Sequence, residues 1–551
     1  MNKNEKKGSS ITAIVTIRRV IQALFLGLFC YLFFNTVFRG DFKAGPQTFV
    51  RPVYPIKLFF DLDPLAAIGT LLSSWTIYKG LIWSALTISL TLIMGRFFCG
   101  WICPLGTIHH SAGAIKPSLK SIQRIKFNKL NSAQSVKYYI LIAFLVASLI
   151  GSTQVGLLDP MSFLWRSLTA SVLPSAHYVW DSFANLIYSY KIPYLFVLID
   201  YINYFFDRYI FPGSSFLFHY GWLIGIVFVI FLYLNRKYPR FWCRYICPLG
   251  ALLGIFSKTS ILGLQKDISR CNDCDLCVLD CQGAANPQGK DKWVVSECMM
   301  CFNCWGDCPR DAIKFKFFPD NKQTTRNVID LNRRTLVLSA GAGLLFVPLA
   351  RATDSLDKNY NPYLIRPPGA LEEKEFLKRC LKCGECMKIC PTNALHPALF
   401  EGGIEGLWSP ILIPRIGYCE NSCVLCGYTC PTGAIHELVE KEKPGLDGKC
   451  MIKIGLAAVD RGRCLPWALK IPCIVCEEHC PTSPKAIYLE KTIVKDRNGS
   501  EITVQLPYVD PNLCWGCGIC ENKCPVKDKP AIYVTNIGET RSKTNQLLLG
   551  K

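Results

Sequence analysis

Cys298-Met299-Met300-Cys301-Phe302-Asn303-Cys304-Trp305-Gly306-Asp307-Cys308-Pro309 is the stretch on which the chain's reading turns, because its spacing, Cys-x2-Cys-x2-Cys-x3-Cys, returns along the sequence. It recurs at Cys271, Cys274, Cys277 and Cys281, at Cys380, Cys383, Cys386 and Cys390, and at Cys514, Cys517, Cys520 and Cys524. Two more copies have wider openings, Cys419-x3-Cys423-x2-Cys426-x3-Cys430-Pro431 and Cys464-x8-Cys473-x2-Cys476-x3-Cys480-Pro481. These six motifs take up most of the chain's 30 cysteines. Three thiolates on one tight loop can hold three corners of a four-iron, four-sulfur cubane. The fourth cysteine, opening a short helix, points away to a neighbouring cubane. Motifs of this kind therefore work in pairs.

Zinc also takes four thiolates from two Cys-x2-Cys pairs, but it needs neither the third cysteine nor the Cys-x3-Cys-Pro ending. That ending recurs here with a similar tail: Asp311-Ala312-Ile313, Asn393-Ala394-Leu395, Gly433-Ala434-Ile435, Lys485-Ala486-Ile487 and Pro530-Ala531-Ile532. The repeat reads as loop, short helix and brief strand, the half-unit of a two-cluster ferredoxin module. Structural disulfides belong mostly to small secreted domains and do not repeat Cys-x2-Cys evenly. In the first pair, cross-ligation assigns Cys271, Cys274, Cys277 and Cys308 to one cluster and Cys298, Cys301, Cys304 and Cys281 to the other.

Half of the 551 residues are hydrophobic, and the excess lies in the first 260. The formal charge of +21 counts every cysteine as neutral. Six cubanes at about −2 each would bring it to about +9, so the basic balance requires no nucleic acid. Four apolar segments, near residues 20 to 38, 78 to 98, 138 to 157 and 216 to 235, are long enough to cross a hydrocarbon core of about 30 Å. Lys3, Lys6, Lys7, Arg18 and Arg19 precede the first span, Lys116, Lys120, Arg124, Lys126 and Lys129 lie between the second and third, and Arg236, Lys237, Arg240 and Arg244 follow the fourth. The excess of Lys and Arg puts those three regions in the cytoplasm. The stretch 192 to 206 contains Asp200 and reads either as a further span or as a segment at the outer interface. The expected architecture is an α-helical membrane domain of about four transmembrane helices (1–262), a two-cluster ferredoxin module (263–320), a linker (321–370) and a four-cluster domain (371–551). Both cysteine regions are α+β and ferredoxin-like.

The membrane half also repeats. Phe97-Phe98-Cys99-Gly100-Trp101-Ile102-Cys103-Pro104-Leu105-Gly106 matches Phe241-Trp242-Cys243-Arg244-Tyr245-Ile246-Cys247-Pro248-Leu249-Gly250, and Asp63-Pro64-Leu65 is echoed by Asp159-Pro160-Met161. Cys-x3-Cys puts two thiols on one helical face. Two facing copies, Cys99 and Cys103 with Cys243 and Cys247, form a candidate cofactor site at the membrane surface; otherwise they are packing elements or local dithiols. Haem is not expected, since there are seven histidines and no Cys-x2-Cys-His site. Of these, His219 in a span reads as a packing residue, and His109 and His110 as interfacial side chains. Asp61, Asp63 and Asp159 lie at span ends, where solvation or helix capping competes with proton handling. Cys30 and Cys450 are left without a ligand role. No Gly-x-Gly-x-x-Gly loop or hydrolase constellation is present, so any catalysis would be quinol oxidation or quinone reduction.

Asn332-Arg333-Arg334-Thr335-Leu336-Val337-Leu338, followed by an apolar run to Ala350 and by Ala350-Arg351-Ala352, has the form of a twin-arginine export signal placed inside the chain. The run of 16 residues covers about 24 Å, short for a span and normal for a signal core. Residues 1 to about 320, with four spans, two Cys-x3-Cys-Pro elements and two cysteine motifs, resemble the NapH-type membrane ferredoxin proteins. Residues about 330 to 540, with the twin arginine and four motifs of which the second and third are widened, resemble the NapG/MauM-type ferredoxin proteins. The resemblance implies a fused, membrane-anchored relay of up to six clusters in the bacterial inner membrane. It would carry electrons from the quinol pool toward a periplasmic reductase or cytochrome, with no nucleic acid involved, and its last four clusters would be periplasmic. For those four it implies pairing of outer with outer and inner with inner motifs, Cys380, Cys383 and Cys386 with Cys524 and Cys419, Cys423 and Cys426 with Cys480; sequential pairing is the alternative. An assembly or regulatory protein that senses redox state is the other functional class.

Overall fold

The computed structural model describes residues 3–38, 54–76, 78–114, 121–190, 195–210, 217–236, 238–288, 292–319, 326–327, 329–353, 361–439, 442–443, 452–495 and 501–546. Lys116, Lys120, Lys237 and Cys450 therefore lie outside the described residues. The chain packs as two compact units, one built from residues 1–34, 57–167 and 223–347 and the other from 35–56, 168–222 and 348–551. Each combines apolar helices with cysteine motifs.

In the first unit, Ala13–Asn35 of the helix Lys3–Asn35 and the helical stretch Ser132–Leu149 are long and apolar enough to cross a membrane. Arg333–Arg351, whose helix runs on past the unit's edge, is the third such stretch among the described residues. Two of the four expected spans thus correspond to full-length helices. The other two are shorter, Lys79–Met94 and Gly221–Leu234, about 24 and 21 Å at 1.5 Å per residue. The apolar run outlasts the helix in each case because left-handed residues intervene, Gly95 with φ 71° after the one and Tyr220 with φ 59° before the other. Conversely, the run after Arg333 and Arg334 is longer than its apolar core. The helix Arg333–Thr353 includes the arginines, and with 21 residues it spans about 31 Å. Gly343 lies against the Ala143 carbonyl so closely that a Cβ would clash, and the Asn332 N–H donates to the Tyr139 hydroxyl at 3.0 Å.

The two-motif module of this unit closes through antiparallel pairing of Leu262–Lys266, before its first motif, with Ile313–Phe317, after its second. Leu264, Trp293, Met300, Phe302, Ile313 and Phe315 pack between them, together with Trp101 of the Cys-x3-Cys-Pro helix.

The second unit uses the same closure twice. Ala370, ahead of the Cys380 motif, bridges Ile435, behind the Cys419 motif. Leu456–Val459, ahead of the Cys464 motif, pairs with Ile532–Thr535, behind the Cys514 motif. Between the motifs of each pair the chain inserts a further antiparallel pairing, Leu395–Pro397 with Pro410–Leu412 and the long hairpin Ile487–Lys495 with Glu501–Val509. One core, with Phe376, Leu377, Ile435, Ile487, Trp515 and Ile532, joins all four motifs. Arg366 and Arg541 clamp Glu373 at 2.6 and 2.8 Å. Burial opposes ionisation of Glu373, but the two guanidinium groups outweigh it and hold the carboxyl at about 2. Residues 168–222 belong to this unit. Their helices Leu173–Tyr190 and Leu195–Tyr209 pair as a hairpin around Ala184, Ile187 and Ile199.

Candidate iron–sulfur centres

In each evenly spaced motif, the residues on both sides of the second cysteine are left-handed: Asp273 and Asp275, Met300 and Phe302, Lys382 and Gly384, Gly516 and Gly518. Most side chains resist this conformation at a cost of about 1–2 kcal/mol per residue. Its reward is a loop that curls its backbone N–H groups around one space, an anion-binding concavity. The short helices that follow, Leu276–Leu279, Asn303–Gly306, Glu385–Ile389 and Ile519–Lys523, carry the third cysteine. The recurrent alanine tail has its own reason. In three motifs the fourth-cysteine sulfur accepts the N–H four residues on, Ala285 to Cys281 at 3.4 Å, Ala312 to Cys308 at 3.3 Å and Ala394 to Cys390 at 3.3 Å, whereas Cys430 accepts from Ile435 at 3.5 Å and Ala486 donates to the Thr482 hydroxyl at 2.7 Å. In those three motifs the residue before the alanine is left-handed: Ala284, Asp311 and Asn393. These conformations were not read from the sequence; the glycines at 384, 516 and 518 were the available signal.

The cysteines gather as the first-module spacing predicts. Cys271, Cys274, Cys277 and Cys308 line one cavity. Cys298, Cys301, Cys304 and Cys281 lie within electrostatic reach of one another, and Cys277 reaches Cys281 of this second set. In the second unit the four motifs pair sequentially, and the outer-with-outer arrangement is corrected. Cys380, Cys383 and Cys386 face Cys430, while Cys419, Cys423 and Cys426 face Cys390. Cys464, Cys473, Cys476 and Cys524 line one cavity, and Cys514, Cys517, Cys520 and Cys480 line another. The strand closures dictate this, since each joins the start of one motif to the end of the next.

These four sets form a file. Cys386 is near Cys426, the Cys419 N–H donates to the Cys517 carbonyl at 2.8 Å, and Cys520 is near Cys476. The order is thus the Cys380, Cys419, Cys514 and Cys464 sets. Burial pushes the thiol of Cys380 up to about 11 and those of Cys277, Cys423 and Cys476 up to about 12, so without metal these four are protonated and metal binding to them must release protons. Among the described residues no three His, Cys, Asp or Glu side chains come close enough to grip a single ion.

The widened loops lack the paired left-handed residues and rely on other groups. In the Cys419 set the buried Lys443 ammonium donates to the Cys419 sulfur at 3.3 Å and to the carbonyls of Glu420 and Cys423 at 2.8 and 2.6 Å, over the Trp515 ring. The cavity of the Cys464 set is lined by Val459, Leu465, Pro466 and Val475.

Cys99, Cys103, Cys243 and Cys247 are all buried, and the two copies of the repeat bring them within electrostatic reach of one another. Position 100 and its counterpart 244 both address the neighbouring ferredoxin module. Gly100 admits the Met299 backbone against it. Arg244 donates to the carbonyls of Cys281, Gln282 and Phe127 and to Asn128 Oδ1. Arg18 donates to the Cys301 carbonyl at 3.0 Å and the Trp101 indole to the Met300 carbonyl at 2.8 Å. Arg18, Arg240 and Arg244 are thus buried side chains.

The remaining expected residues fall into place as structure. Asp63 and Asp159 are buried caps, accepting the N–H of Leu65 and Ser162, each at 2.8 Å. His109 is buried against Asn235, and His219 precedes the helix Gly221–Leu234 instead of lying within it. Cys30 is half-buried.

Two contact zones bear on sidedness. In the first unit, Arg124 pairs with Asp280, Lys129 with Asp275 at 3.4 Å, and Asn128 donates to the Leu279 carbonyl at 2.7 Å, so the Lys/Arg-rich segment after the second expected span holds the two-motif module. In the second unit, Asn393 donates to the Leu217 carbonyl at 3.2 Å, the His219 N–H donates to His396 Nδ1 at 3.2 Å, and Phe218 packs on the His396 ring. The segment before the helix Gly221–Leu234 thus holds the Cys380 end of the four-motif domain.

Comparison with known proteins agrees with this chemistry. One family described as a 4Fe-4S binding domain matches residues 76–120, 218–266 and 424–447, and a second of the same description matches 376–396 and 507–527. The chain is 33% identical over 203 residues to the ferredoxin-type protein NapG of Escherichia coli K12, covering 36% of this chain and 82% of that protein. It is 30% identical over 212 residues to the methylamine utilization ferredoxin-type protein MauM of Methylophilus methylotrophus, covering 38% and 84%, and 32% identical over 205 residues to MauM of Paracoccus denitrificans, covering 37% and 84%. No solved structure matches. Through its C-terminal region the chain belongs to the family of ferredoxin-type electron-transfer proteins that includes NapG and MauM.

Proposed function

We propose that this protein is a membrane-anchored iron–sulfur relay that moves electrons between the quinol pool and a periplasmic oxidoreductase, of which nitrate reductase is one candidate. The observation that carries the reading is the file of four cysteine sets in one core, joined at the Cys419–Cys517 hydrogen bond. A sensor needs one such set, whereas a file suits conduction over distance. When bound, a four-iron cluster in each set supplies a one-electron carrier. The ligands we assign are Cys271, Cys274, Cys277 and Cys308; Cys298, Cys301, Cys304 and Cys281; Cys380, Cys383, Cys386 and Cys430; Cys419, Cys423, Cys426 and Cys390; Cys514, Cys517, Cys520 and Cys480; and Cys464, Cys473, Cys476 and Cys524.

The two contact zones support a relay that crosses the bacterial inner membrane. The segment that holds the two-motif module is rich in Lys and Arg, the mark of the cytoplasmic side. The segment that holds the Cys380 end lies at the start of the fourth expected span, just before the helix Gly221–Leu234, and the same rule places that end of the span outside. Arg333–Arg351, long enough to span, would join the two sides as a retained anchor. In the file the Cys380 set is then the membrane-proximal terminus and the Cys464 set the distal one.

Reduced menaquinol or ubiquinol analogues added to protein in liposomes are expected to reduce the clusters, followed by electron paramagnetic resonance. No reduction by either quinol would remove the quinol pool as donor. A protease site after Lys543 should be cleaved from outside in right-side-out vesicles while one near Lys290 stays protected. Changing Arg333 and Arg334 to lysine should protect both.

A further inference from the structure

The file of cysteine sets in the second unit ends at the Cys464 set, and the loop that opens this set is longer than ligation requires. An evenly spaced motif puts two residues between its first two cysteines, whereas here eight, Leu465 to Pro472, separate Cys464 from Cys473. Those residues are held in place. Leu465–Leu469 form one wide helical turn, the Trp467 indole donates to the Pro507 carbonyl of the long hairpin at 3.3 Å, and the Arg461 guanidinium covers the Trp467 ring at 4.3 Å. Tyr508 packs edge-on against Trp467 and stacks on Tyr488, its cross-strand partner.

What this anchored loop presents to the outside is apolar. Leu469, Ile471 and Ile474 are 52, 48 and 44% exposed, and Tyr488 is 45% exposed. The three aliphatic side chains lie on both sides of Cys473, which like Cys476 is itself only half-buried. Single exposed aliphatic residues need no explanation, but a cluster of them bordered by charge marks an interaction site. The border here is basic. Arg461 and Lys470 both touch Trp467, Lys470 through the Trp467 carbonyl at 3.3 Å, and Arg463 donates to the Lys529 carbonyl at 3.0 Å, which brings Lys527 and Lys529 alongside. Glu477 is taken by Lys485 at 2.7 Å. The other carboxylates of this border, Asp460, Glu478 and Asp528, are fewer than the five cations.

We propose that this patch is where the relay docks a soluble redox protein whose own cofactor edge lies in an apolar patch bordered by carboxylates. This rests on the reading of the chain as an iron–sulfur relay and names the face and the partner chemistry at its distal end. A few aliphatic side chains over the last ligands bring the partner's cofactor near, and a contact of that size belongs with the small interfaces of transient electron-transfer pairs. The basic border steers an acidic partner and repels a basic one. One electron leaves the reduced Cys464 centre and reduces the partner's cofactor, with no bond made or broken and no proton moved.

The test takes full-length protein in neutral detergent, its centres reduced with dithionite and the excess removed. It is mixed by stopped flow with plastocyanin, an acidic blue-copper protein, or with cytochrome c, a basic haem protein. Plastocyanin is expected to oxidise the centres faster at low salt, with a bimolecular rate that falls about tenfold between about 10 and about 200 mM salt. Leu469→Ser with Ile471→Ser should lower that rate about tenfold, while iron content and paramagnetic signals are kept. Phe400→Ser, at a residue 70% exposed elsewhere in the same unit, should leave the rate as it is. An unchanged rate in the double variant, or an equal loss in Phe400→Ser, would overturn the docking surface. A faster reaction with cytochrome c at low salt would overturn the acidic partner, and this comparison needs no variant to fold. Self-association of the wild type that the double variant abolishes would give the patch to a second copy and overturn the proposal as well. Dithionite supplies the electrons, so these outcomes do not depend on a quinol site. Absence of iron–sulfur signals from the wild type would mark instead a failure of the relay reading itself.

Discussion

The four evenly spaced loops and the two widened ones surround their sulfurs with different groups. An evenly spaced loop supplies its own backbone: residues such as Met300, Phe302 and Lys382 accept a left-handed conformation, so that N–H groups converge on the space between the thiols. A widened loop has too much chain between its first two cysteines for that curl. Around Cys419 the missing donors are replaced by the Lys443 ammonium, and around Cys464 aliphatic side chains fill the rim. Because the potential of an iron–sulfur centre follows local charge, hydrogen bonds to sulfur and solvent exposure, centres in the two kinds of loop should differ in potential. The second and third positions in the sequence are the second and last positions in the file.

The largest effect that can test this contrast is loss of a whole centre. Cys430→Ser should remove or convert the cluster of the evenly spaced Cys380 loop and spare the widened loop on which Cys430 itself lies. Cys524→Ser should do the converse, affecting the Cys464 set and sparing Cys514. Electron paramagnetic resonance with iron counting checks both. Damage to the variant's own loop alone would break the cross-paired file.

Next in size is the clamp that supports the evenly spaced Cys380 loop from outside the cysteine sets. Replacing Glu373 by Gln leaves the buried Arg366 without its carboxylate, while Arg541 keeps Glu539 at 2.7 Å, and should cost about 3 kcal/mol. Since the folded carboxyl titrates at about 2, below its unfolded value, its contribution is fully present above about pH 4.5 and is lost as pH falls toward 2. Between pH 6 and 8 the gap between wild type and variant in thermal denaturation should therefore stay constant.

A smaller effect probes the backbone curl. Gly518 has φ 84°, and a Cβ there would meet Pro414 Cβ at 2.8 Å. Gly518→Ala should destabilise the domain by about 1–2 kcal/mol from conformation, with the contact adding to it. The matching position of the widened Cys419 loop is Val424, with φ −125°, and Val424→Ala should cost only the packing of two methyl groups. Thermal denaturation of the two holoproteins separates strain from packing, and equal losses with relaxed geometry at Gly518 would dissolve the contrast.

What could be read from the sequence follows the range of the interactions. Cysteine spacing acts over ten residues, so the six motifs and the Cys281–Cys308 exchange were legible. Pairing in the four-motif domain was not, because it depends on the Ala370–Ile435 bridge and on two four-residue strands more than 70 positions apart. Charge was legible as topology but not as chemistry. Arg240 and Arg244 read as cytoplasmic-side charge and prove to be buried donors. Hydropathy overestimated the helices at Lys79–Met94 and Gly221–Leu234, where turns interrupt an apolar run, and underestimated Arg333–Thr353, where helix continues through charged ends.

The smallest and most specific effect concerns Lys443. Its ammonium is buried, touches the Cys419 sulfur and two carbonyls of the same loop, and faces the Trp515 ring. A positive charge beside a thiolate favours the extra negative charge of the reduced centre, so the Cys419 set should be the more readily reduced of the two widened sets. A charge-assisted hydrogen bond is worth about 1.5–3 kcal/mol, and one tenfold change in a one-electron equilibrium is 59 mV. Lys443→Met should therefore lower the midpoint potential of the Cys419 signal by on the order of 50 mV or more, with Lys443→Arg shifting it less. The Cys464 signal, whose cavity is lined by Val459, Leu465, Pro466 and Val475, should not move in either variant. Since the Cys419 set lies second in the file, electron delivery to the Cys464 end should change less than the potential does. Equal shifts at both widened sets would mean that Lys443 acts through the fold, and the contrast between backbone-lined and side-chain-lined loops would then have to be rebuilt on solvent exposure alone.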